Sequence, residues 1–261
     1  MLARSWNLFH GNTTPPGKRR YTDEMVRRAC VGGPAVVLLQ EVPPYALPRL
    51  HAWSGYTAVG VVAARPRLRG PLGVSLTDFH SGLVRSAVEG QANAVLVAPD
   101  VHVLERQVLT LNPRSFRARL RLPWRARVAW ALERRICQAV RVALRDGRTL
   151  LVANLHATSY RADKRLADAE LLRAATFADA LAHPGEPVVL GGDFNVTTQS
   201  SPTLRALGTS EWGFSSAGRG LDHVLVRDVG VVAAERHWPD EQRRHGARLL
   251  SDHAPVEVEF E

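Results

Sequence analysis

The chain has 261 residues, of which 45% are hydrophobic, and it carries 34 Lys and Arg against 25 Asp and Glu, a formal net charge of +9. This composition supplies a substantial core, and no apolar run approaches the roughly 18 residues of a membrane-spanning helix. The basic excess favours a polyanionic partner such as nucleic acid, nucleotides or anionic lipid head groups. No linker or repeat divides the sequence, so we expect one domain over residues 1–261.

Cysteine usage and the first residues indicate a cytoplasmic protein. Cys30 and Cys137 lie far apart and neither belongs to a paired motif, so we expect reduced, buried thiols rather than a disulfide or a metal site. The chain runs from Met1 directly into a strand pattern, without the charged region, apolar region and cleavage site of a secretory signal. We therefore expect a cytoplasmic location.

The first elements place two polar residues at strand exits. Leu2 to Leu8 is predicted to be a strand with Asn7 at its end, and a helix capped by Thr22 or Asp23 follows. Ala35 to Leu39 is predicted to be a buried strand, directly followed by Glu41. A carboxylate in that position is costly unless it lies at an exposed rim or binds a cation, and we favour a metal ligand.

The middle of the chain combines strand patterns with two basic stretches. The predicted elements are a short helix at Pro44 to Leu50, a strand at Tyr56 to Ala63, a helix at Leu76 to Val88, and strands at Gln91 to Ala98 and Val101 to Leu111 joined by a turn. Arg65 to Arg69 is a basic loop, and six arginines are interleaved with aromatic residues over Arg114 to Arg127. This second stretch either grips phosphates and stacks on bases or forms a solvated amphipathic helix.

The second half predicts a hairpin, a long helix and further strands. Asp146-Gly147 is a strong turn signal, and the strand after it delivers Asn154 and His156. Asp163 to Leu181 is the strongest helix pattern, with its apolar face at Leu166, Ala169, Leu172 or Arg173, Phe177 and Leu181. The remaining predicted strands are Leu221 to Val226, Val231 to Arg236 and Pro255 to Phe260.

The stretch Gly191-Gly192-Asp193-Phe194-Asn195 follows the apolar run at 187–190. The glycines permit a sharp turn, after which Asp193 and Asn195 lie on the same side of an extended segment. A carboxylate and an amide so placed are suited to orient a water and hold a second oxygen. Alone, the pentapeptide is more typical of an Asx-rich turn after a strand.

Five strand ends carry such polar groups, and together they resemble one known superfamily. The motifs are Trp6-Asn7, Gln40-Glu41, Asn154-Leu155-His156, Gly191 to Asn195 and Ser251-Asp252-His253. In this order they resemble the endonuclease/exonuclease/phosphatase superfamily of divalent-metal phosphoesterases, related to deoxyribonuclease I. The resemblance implies an α/β fold, a deoxyribonuclease I-like four-layer sandwich of two packed, mainly antiparallel sheets flanked by helices. The site would lie at one rim.

The resemblance also implies a metal site. By that likeness Glu41 is the principal Mg²⁺ ligand, Asn7 lies at the metal or in its shell, and Asp252 completes the site. Mg²⁺ prefers oxygen ligands and keeps several waters, so one or two carboxylates suffice. Mn²⁺ is a possible substitute.

Catalytic roles follow from the same resemblance. Asp193 would orient or deprotonate the attacking water, and Asn195 would hold that water or a phosphoryl oxygen. His253 would contact the scissile phosphate with Asp222 orienting it, and His156 would be the second phosphate-contacting histidine. Whether His253 acts as a base or as a cationic phosphate clamp is left open by the residues alone.

Substrate contacts are expected from two asparagines. Asn154 stands next to His156, and Asn93 resembles the asparagine of a Gly-Asn-Ala segment that lines the same pocket. AP endonucleases carry an acidic residue where this chain has Phe9 and lack the Asn-x-His arrangement, which argues against abasic-site specificity. We therefore expect a Mg²⁺-dependent phosphodiesterase acting on nucleic acid. The alternatives are a phosphoesterase of small or lipid-linked phosphates and, in another class, a non-catalytic scaffold that binds polyanions.

Overall fold

The computed structural model describes residues 1–65, 90–119 and 122–261. The strands are β1 Leu2–Asn7, β2 Thr13–Thr14, β3 Val36–Val42, β4 Thr57–Ala64, β5 Gln91–Val97, β6 His102–Thr110, β7 Ile136–Ala143, β8 Thr149–His156, β9 Val188–Asp193, β10 Asp222–Arg227, β11 Val231–His237, β12 Arg244–His245, β13 Arg248–Leu250 and β14 Val256–Phe260. The α-helices are α1 Thr22–Ala29, α2 Leu50–Ser54, α3 Arg114–Arg119, α4 Trp124–Leu132, α5 Arg165–Leu181 and α6 Pro202–Leu207.

Two large sheets pack face to face. One has six strands in the order β11-β14-β1-β3-β5-β4, and the other has five in the order β10-β9-β8-β7-β6. Only the β1–β3 and β8–β9 pairs are parallel among the described pairs within these sheets. Leu38 of β3 and Val189 of β9 belong to the apolar core that the two sheets share. The predicted sandwich of two mainly antiparallel sheets flanked by helices is confirmed.

The apolar patterns predicted most strands because these strands are covered on both faces. All residues of β5 and β9 are buried, so the sequence shows continuous apolar runs instead of alternation. The hairpin around Asp146-Gly147 is confirmed, with β7 and β8 antiparallel. The long helix α5 is also confirmed as the crossover between β8 and the parallel strand β9.

Several local predictions were wrong. The strands β5 and β6 lie in different sheets, so Pro99-Asp100 turns a corner of the sandwich instead of closing a hairpin. Helix α1 begins after Tyr21 without a side-chain cap. Helix α5 leaves Leu172 46% exposed and buries a neighbouring face that includes Leu171 and Ala174. The buried face of α5 thus combines Leu166 and Leu171 with alanines, and only Leu166 of the predicted face is fully buried in it.

The two cysteines differ in their burial. Neither cysteine is in a disulfide; Cys137 is buried, whereas Cys30 is partly exposed, so only one is the fully buried thiol expected. Burial raises the pKa of Cys137 to about 12.

In the described ranges, no helix combines the length and apolarity needed to cross a bilayer. The predicted helix at 76–88 and the basic loop beyond Arg65 lie outside the described residues.

Candidate active site

Three predicted residues form one row across the end of the five-stranded sheet. In the strand register Asp193 lies opposite Asp222 on one side and His156 on the other. Gly192 makes this close pairing possible, because it has φ +141° and a Cβ there would lie 1.9 Å from the carbonyl oxygen of Leu155. The glycine preceding Asp193 is therefore required by the packing of β9 on β8.

The ends of β1 and β3 in the other sheet face this row. The amide Nδ2 of Asn7 donates to Asp193 Oδ2 at 3.0 Å and to Glu41 Oε1 at 3.3 Å. Its Oδ1 accepts from the backbone N–H of Phe9 at 3.0 Å. Asn7 thus links a carboxylate from each sheet. Because its oxygen already has a partner and its nitrogen faces the carboxylates, this geometry favours the shell position over direct metal ligation.

Backbone strain is concentrated around these side chains. Six non-glycine residues in the described ranges have positive φ, and five of them surround the site: Phe9, His10, Glu41, Asn195 and Ser251. The register between β3 and β5 shifts around Glu41, so a local irregularity turns this residue at the rim. Such conformations cost about 1–3 kcal/mol each and cluster at functional sites.

His253 and Asp222 form a short ionic hydrogen bond. His253 Nδ1 donates to Asp222 Oδ2 at 2.7 Å, and His253 Nε2 lies 4.0 Å from Asp193 Oδ2. Burial by itself would lower the pKa of His253, but the carboxylates of Asp222, Asp193 and Asp252 raise it well above its ordinary value. These carboxylates therefore favour the protonated imidazole. Of the two roles left open for His253, this favours the cationic clamp or proton donor over the base.

His156 is in the opposite electrostatic environment. It is 3% exposed, and its Nδ1 faces Nη1 of Arg135 at 3.1 Å. Its Nε2 lies 3.5 Å from Asp193 Oδ2 and 3.8 Å from Glu41 Oε1. Burial, with the nearby Arg135 charge, lowers the pKa of His156 well below its ordinary value. The surroundings of the two histidines thus shift their pKa values in opposite directions.

The two central carboxylates lack sufficient counter-charge. Burial raises the pKa of Glu41 to about 7, with His253 opposing and Asp252 and Asp193 reinforcing the shift. Burial, then Asp222, likewise raises the pKa of Asp193. A buried cluster of oxygen ligands in this state is chemically suited to a hard divalent cation such as Mg²⁺, whose charge would stabilise the ionised forms.

The predicted metal ligands lie at different distances from the centre of the site. Glu41 faces the centre of the site, whereas Asp252 lies at its mouth, with its side chain 44% exposed and Oδ1 3.9 Å from His253 Nε2. The tightest potential ligand group among the described residues comprises Asp193, Asp222 and His253, whose ligand atoms lie within 4.8 Å of one another. Asp222 bonds His253 through Oδ2 only, and its buried Oδ1 has no hydrogen-bond partner, so this oxygen is open to a cation beside the carboxylates of Glu41 and Asp193.

Asn195 is anchored at the turn after β9. Its backbone N–H donates to Asp193 Oδ1 at 3.0 Å, and its Nδ2 donates to the Ala157 carbonyl at 3.1 Å. Lys164 at the start of α5 donates to the backbone oxygen of Asn195 at 2.7 Å. These contacts fix the Asp193 carboxylate and place a lysine beside it. The Asx turn and the catalytic interpretation of this segment are therefore compatible.

The two predicted substrate asparagines differ. Asn154 is fully buried; Nδ2 donates to the carbonyls of Leu39 and Ala94, each at 3.0 Å, and Oδ1 accepts from Gln40 at 2.8 Å. Both amide hydrogens are engaged in joining the two sheets, so the structure contradicts a substrate contact for Asn154. Asn93 is buried with its Nδ2 lacking a partner, which leaves its predicted role open.

Sequence reasoning missed two residues that contact the site. His10 is 1% exposed and its Nε2 lies 3.3 Å from Glu41 Oε2. Arg135 contacts His156, as described above. The only signal for His10 was its place two residues after the predicted strand at Leu2 to Leu8, and Arg135 precedes β7 as one arginine among many. Their roles depend on contacts between distant segments.

Comparison with known proteins agrees with this fold. A UPF0294 protein of Klebsiella pneumoniae (strain 342) is 32% identical over 134 residues, which are 45% of this chain and 44% of that protein. The chain thus spans less than half the length of this relative. The structure of a humanized D. rerio TDP2 with 14 mutations has TM-score 0.64 and 15% identity, covering 100% of this chain and 98% of that one.

A second solved structure has the same fold. The mannosyl-6-phosphatase Bt3783 of Bacteroides thetaiotaomicron VPI-5482 has TM-score 0.64 and 19% identity, covering 100% of this chain and 99% of that one. At the level of sequence, the model of the Endonuclease/Exonuclease/phosphatase family matches residues 5–253. The chain therefore belongs to the endonuclease/exonuclease/phosphatase family of phosphoester hydrolases.

Proposed function

We propose that this chain is a Mg²⁺-dependent phosphodiesterase that hydrolyses nucleic acid. The observation that carries the hydrolytic part is the convergence of Glu41 and Asp193 with two histidines whose partners carry opposite charge, Arg135 for one and Asp222 for the other. In-line hydrolysis needs a proton acceptor for water, donors to phosphoryl oxygens and positive charge near the developing anion. These side chains supply the first two requirements.

Each side chain has a distinct task in this proposal. Asp193 accepts a proton from water, and its raised pKa brings its basicity closer to neutral pH. The imidazolium of His253, held by Asp222, donates from Nε2 to a phosphate oxygen or to the leaving oxygen. His156 donates from its own Nε2. A bound Mg²⁺, held through Glu41 and the neighbouring carboxylates, would supply positive charge over the phosphate.

A cation should stabilise the fold more at neutral than at acidic pH. The pKa of Glu41 is about 7 in the fold against an ordinary value of 4.5, so the folded chain retains a proton that the unfolded chain loses. Without metal, stability is therefore expected to fall as pH rises between these values, and Asp193 acts in the same direction. We expect Mg²⁺ to raise Tm by more at about pH 7.5 than at about pH 5.5, because ionised carboxylates bind the cation. Calorimetry at both pH values measures this.

Glu41→Gln is the control for this linkage. It removes the carboxylate whose pKa burial raises to about 7. The Mg²⁺-induced change in Tm should then be nearly the same at both pH values. An equal Mg²⁺-induced change in Tm at both pH values in the wild type would contradict the proposed carboxylate site.

Nucleic acid is proposed as the substrate because a strongly basic surface adjoins the site. We call α3 and α4 the arginine-rich helical pair; no acidic residue occurs between Asn112 and Leu132. Arg114, Arg119 and Arg127 are exposed on it. Trp130 of the pair donates to Glu170, which also accepts from Thr158 two residues after His156, so the pair packs near this end of β8. Exposed arginines there are suited to successive phosphates of a long substrate.

We expect the replacement of Arg114, Arg119 and Arg127 by Ser to raise KM for an oligonucleotide and leave kcat nearly unchanged. Each lost phosphate contact lowers the slope of log K against log salt by about 0.7 to 0.9, so three together lower it by about 2. Hydrolysis of bis-p-nitrophenyl phosphate, which reaches only the site itself, should be unaffected. Steady-state kinetics over a series of salt concentrations measures both effects.

A control variant with the same change in net charge replaces Arg106, Arg145 and Arg148 by Ser. Arg145 and Arg148 lie at the β7–β8 turn, the opposite end of the hairpin from His156. This variant should keep the wild-type salt slope. An equal loss in both variants would assign the effect to net charge and not to a surface.

A lipid-linked phosphoester is the second candidate, and one observation favours it. Trp124 and Val128 of the helical pair are 70% and 50% exposed, and Val128 has no plane with which to stack on a base. An exposed tryptophan and an aliphatic residue among arginines also fit an anionic lipid surface. Absence of salt-sensitive binding to DNA or RNA, together with sedimentation on anionic vesicles that Trp124→Ser abolishes, would replace the nucleic-acid proposal with this one.

A further inference from the structure

A buried ion pair lies next to His156 of the active site. Arg135 and Glu133 have side chains only 3% exposed, and Arg135 Nη2 donates to Glu133 Oε2. Asn112 fixes the local backbone: its Oδ1 accepts from the Arg135 N–H at 2.9 Å, and its Nδ2 donates to the Glu133 carbonyl at 2.7 Å. Burying such a pair is costly and does not in general stabilise a fold. Stability alone therefore does not account for this pair.

The other end of the guanidinium contacts His156. Arg135 Nη1 lies 3.1 Å from His156 Nδ1. A guanidinium has only donors, so His156 Nδ1 must present its lone pair, and the ring hydrogen must be on Nε2. That Nε2 lies 3.5 Å from Asp193 Oδ2 and 3.8 Å from Glu41 Oε1, towards the centre of the site. The contact therefore specifies which ring nitrogen donates.

A second buried carboxylate lies in the same region without competing for this contact. Glu170 is fully buried and accepts from Trp130 Nε1, from the Thr158 N–H at 2.6 Å and from Thr158 Oγ1 at 2.8 Å. Both of its oxygens thus have other donors; burial raises the pKa of Glu170, and the Arg135 charge opposes that shift. Glu133 and Glu170 balance the arginine while leaving Nη1 for His156.

We propose that Arg135 is a positioning residue that fixes His156 as the Nε2–H tautomer, making it a neutral hydrogen-bond donor to a phosphate oxygen. His253 has the reverse arrangement, with a carboxylate on Nδ1. One histidine thus contributes a charged donor and the other an uncharged donor with a fixed direction. The assignment of the ring hydrogen to Nε2 depends only on the contacts described above, whereas the hydrogen bond to phosphate rests on the proposed function.

The test removes the ion pair as a unit, because Arg135→Met alone would leave Glu133 buried without a partner. In the double variant Arg135→Met/Glu133→Gln, ¹⁵N NMR of histidine-labelled protein reports the tautomer, with His156 assigned by its loss in His156→Gln. We expect the wild type to show hydrogen on Nε2 only and the variant to show exchange between the two nitrogens. The kcat for bis-p-nitrophenyl phosphate should fall about 10- to 100-fold with little change in KM.

Two further variants separate positioning from loss of stability. Arg135→Lys keeps a donor and the charge, and is expected to retain the Nε2–H tautomer and recover most of kcat. Arg141→Met/Glu186→Gln removes a comparable buried pair of β7, at 2.9 Å between Arg141 Nε and Glu186 Oε1. This pair lies away from the site, so its removal should lower Tm without changing kcat or the His156 spectrum.

Two results would overturn the proposal. If the double variant retained the Nε2–H tautomer, Arg135 would not set it. If the tautomer changed while kcat did not, His156 would not act through that hydrogen. Complete inactivity of the wild type on phosphodiesters would refute the proposed function instead, and the NMR result would still decide whether Arg135 fixes the tautomer.

Discussion

Glu41→Gln is expected to lower kcat by about 10³-fold or more while the chain remains folded. The reason is that the amide has the size of the carboxylate but cannot supply the charge that holds a divalent cation. Burial raises the pKa of Glu41 to about 7, which marks it as a carboxylate held in an unfavourable place. Without metal, the variant should therefore be at least as stable as the wild type at about pH 8. Turnover of bis-p-nitrophenyl phosphate and thermal unfolding measure the two effects.

The matched variant Glu41→Asp keeps the charge and shortens the side chain. It should retain partial activity that increases with the Mg²⁺ concentration, whereas Glu41→Gln should not recover. Wild-type turnover by Glu41→Gln at saturating Mg²⁺ would refute the assignment. A large loss of stability in the variant would instead indicate that Glu41 serves mainly to hold β3 against His10 and Asn7.

His253→Ala is expected to lower kcat by about 10²- to 10⁴-fold. Asp222→Asn should have an effect of similar size, because an amide can donate to Nδ1 and no longer supports the imidazolium. The two residues act as one unit, so the double variant should be hardly worse than the more damaging single one. A double-mutant cycle on kcat measures this coupling, and additive losses would show that they act separately.

A second histidine–carboxylate pair on the same strand provides the control. His223 follows Asp222 in β10, is fully buried, and has Nδ1 3.2 Å from Glu235 Oε1. Burial opposes protonation, but Glu235 raises the pKa of His223. His223→Gln should therefore lower stability while leaving kcat of the folded fraction near the wild-type value. A catalytic loss as large as that of His253→Ala would contradict the specific role of the rim histidine.

The strand ends and the order of the polar motifs could be predicted from the amino-acid sequence. The turn at Asp146-Gly147, the glycines before Asp193 and the long helix before β9 are local signals, because each depends on a few adjacent residues. Strands that end at one rim bring their terminal side chains together. This is why Asn7, Glu41 and His156 could be predicted to meet Asp193 before any contact was known.

The role of each of these side chains depends on contacts that exist only in the folded chain. Asn154 looked equivalent to His156 in the sequence, and both lie on the same face of β8, but Asn154 is two residues farther from the rim, where Gln40 holds it between the sheets. The hydrogen-bond partner of each histidine comes from a distant segment, Arg135 for His156 and Asp222 for His253. Pairings of this kind carry no periodic or local signal, because the partners are brought together only when the two sheets pack.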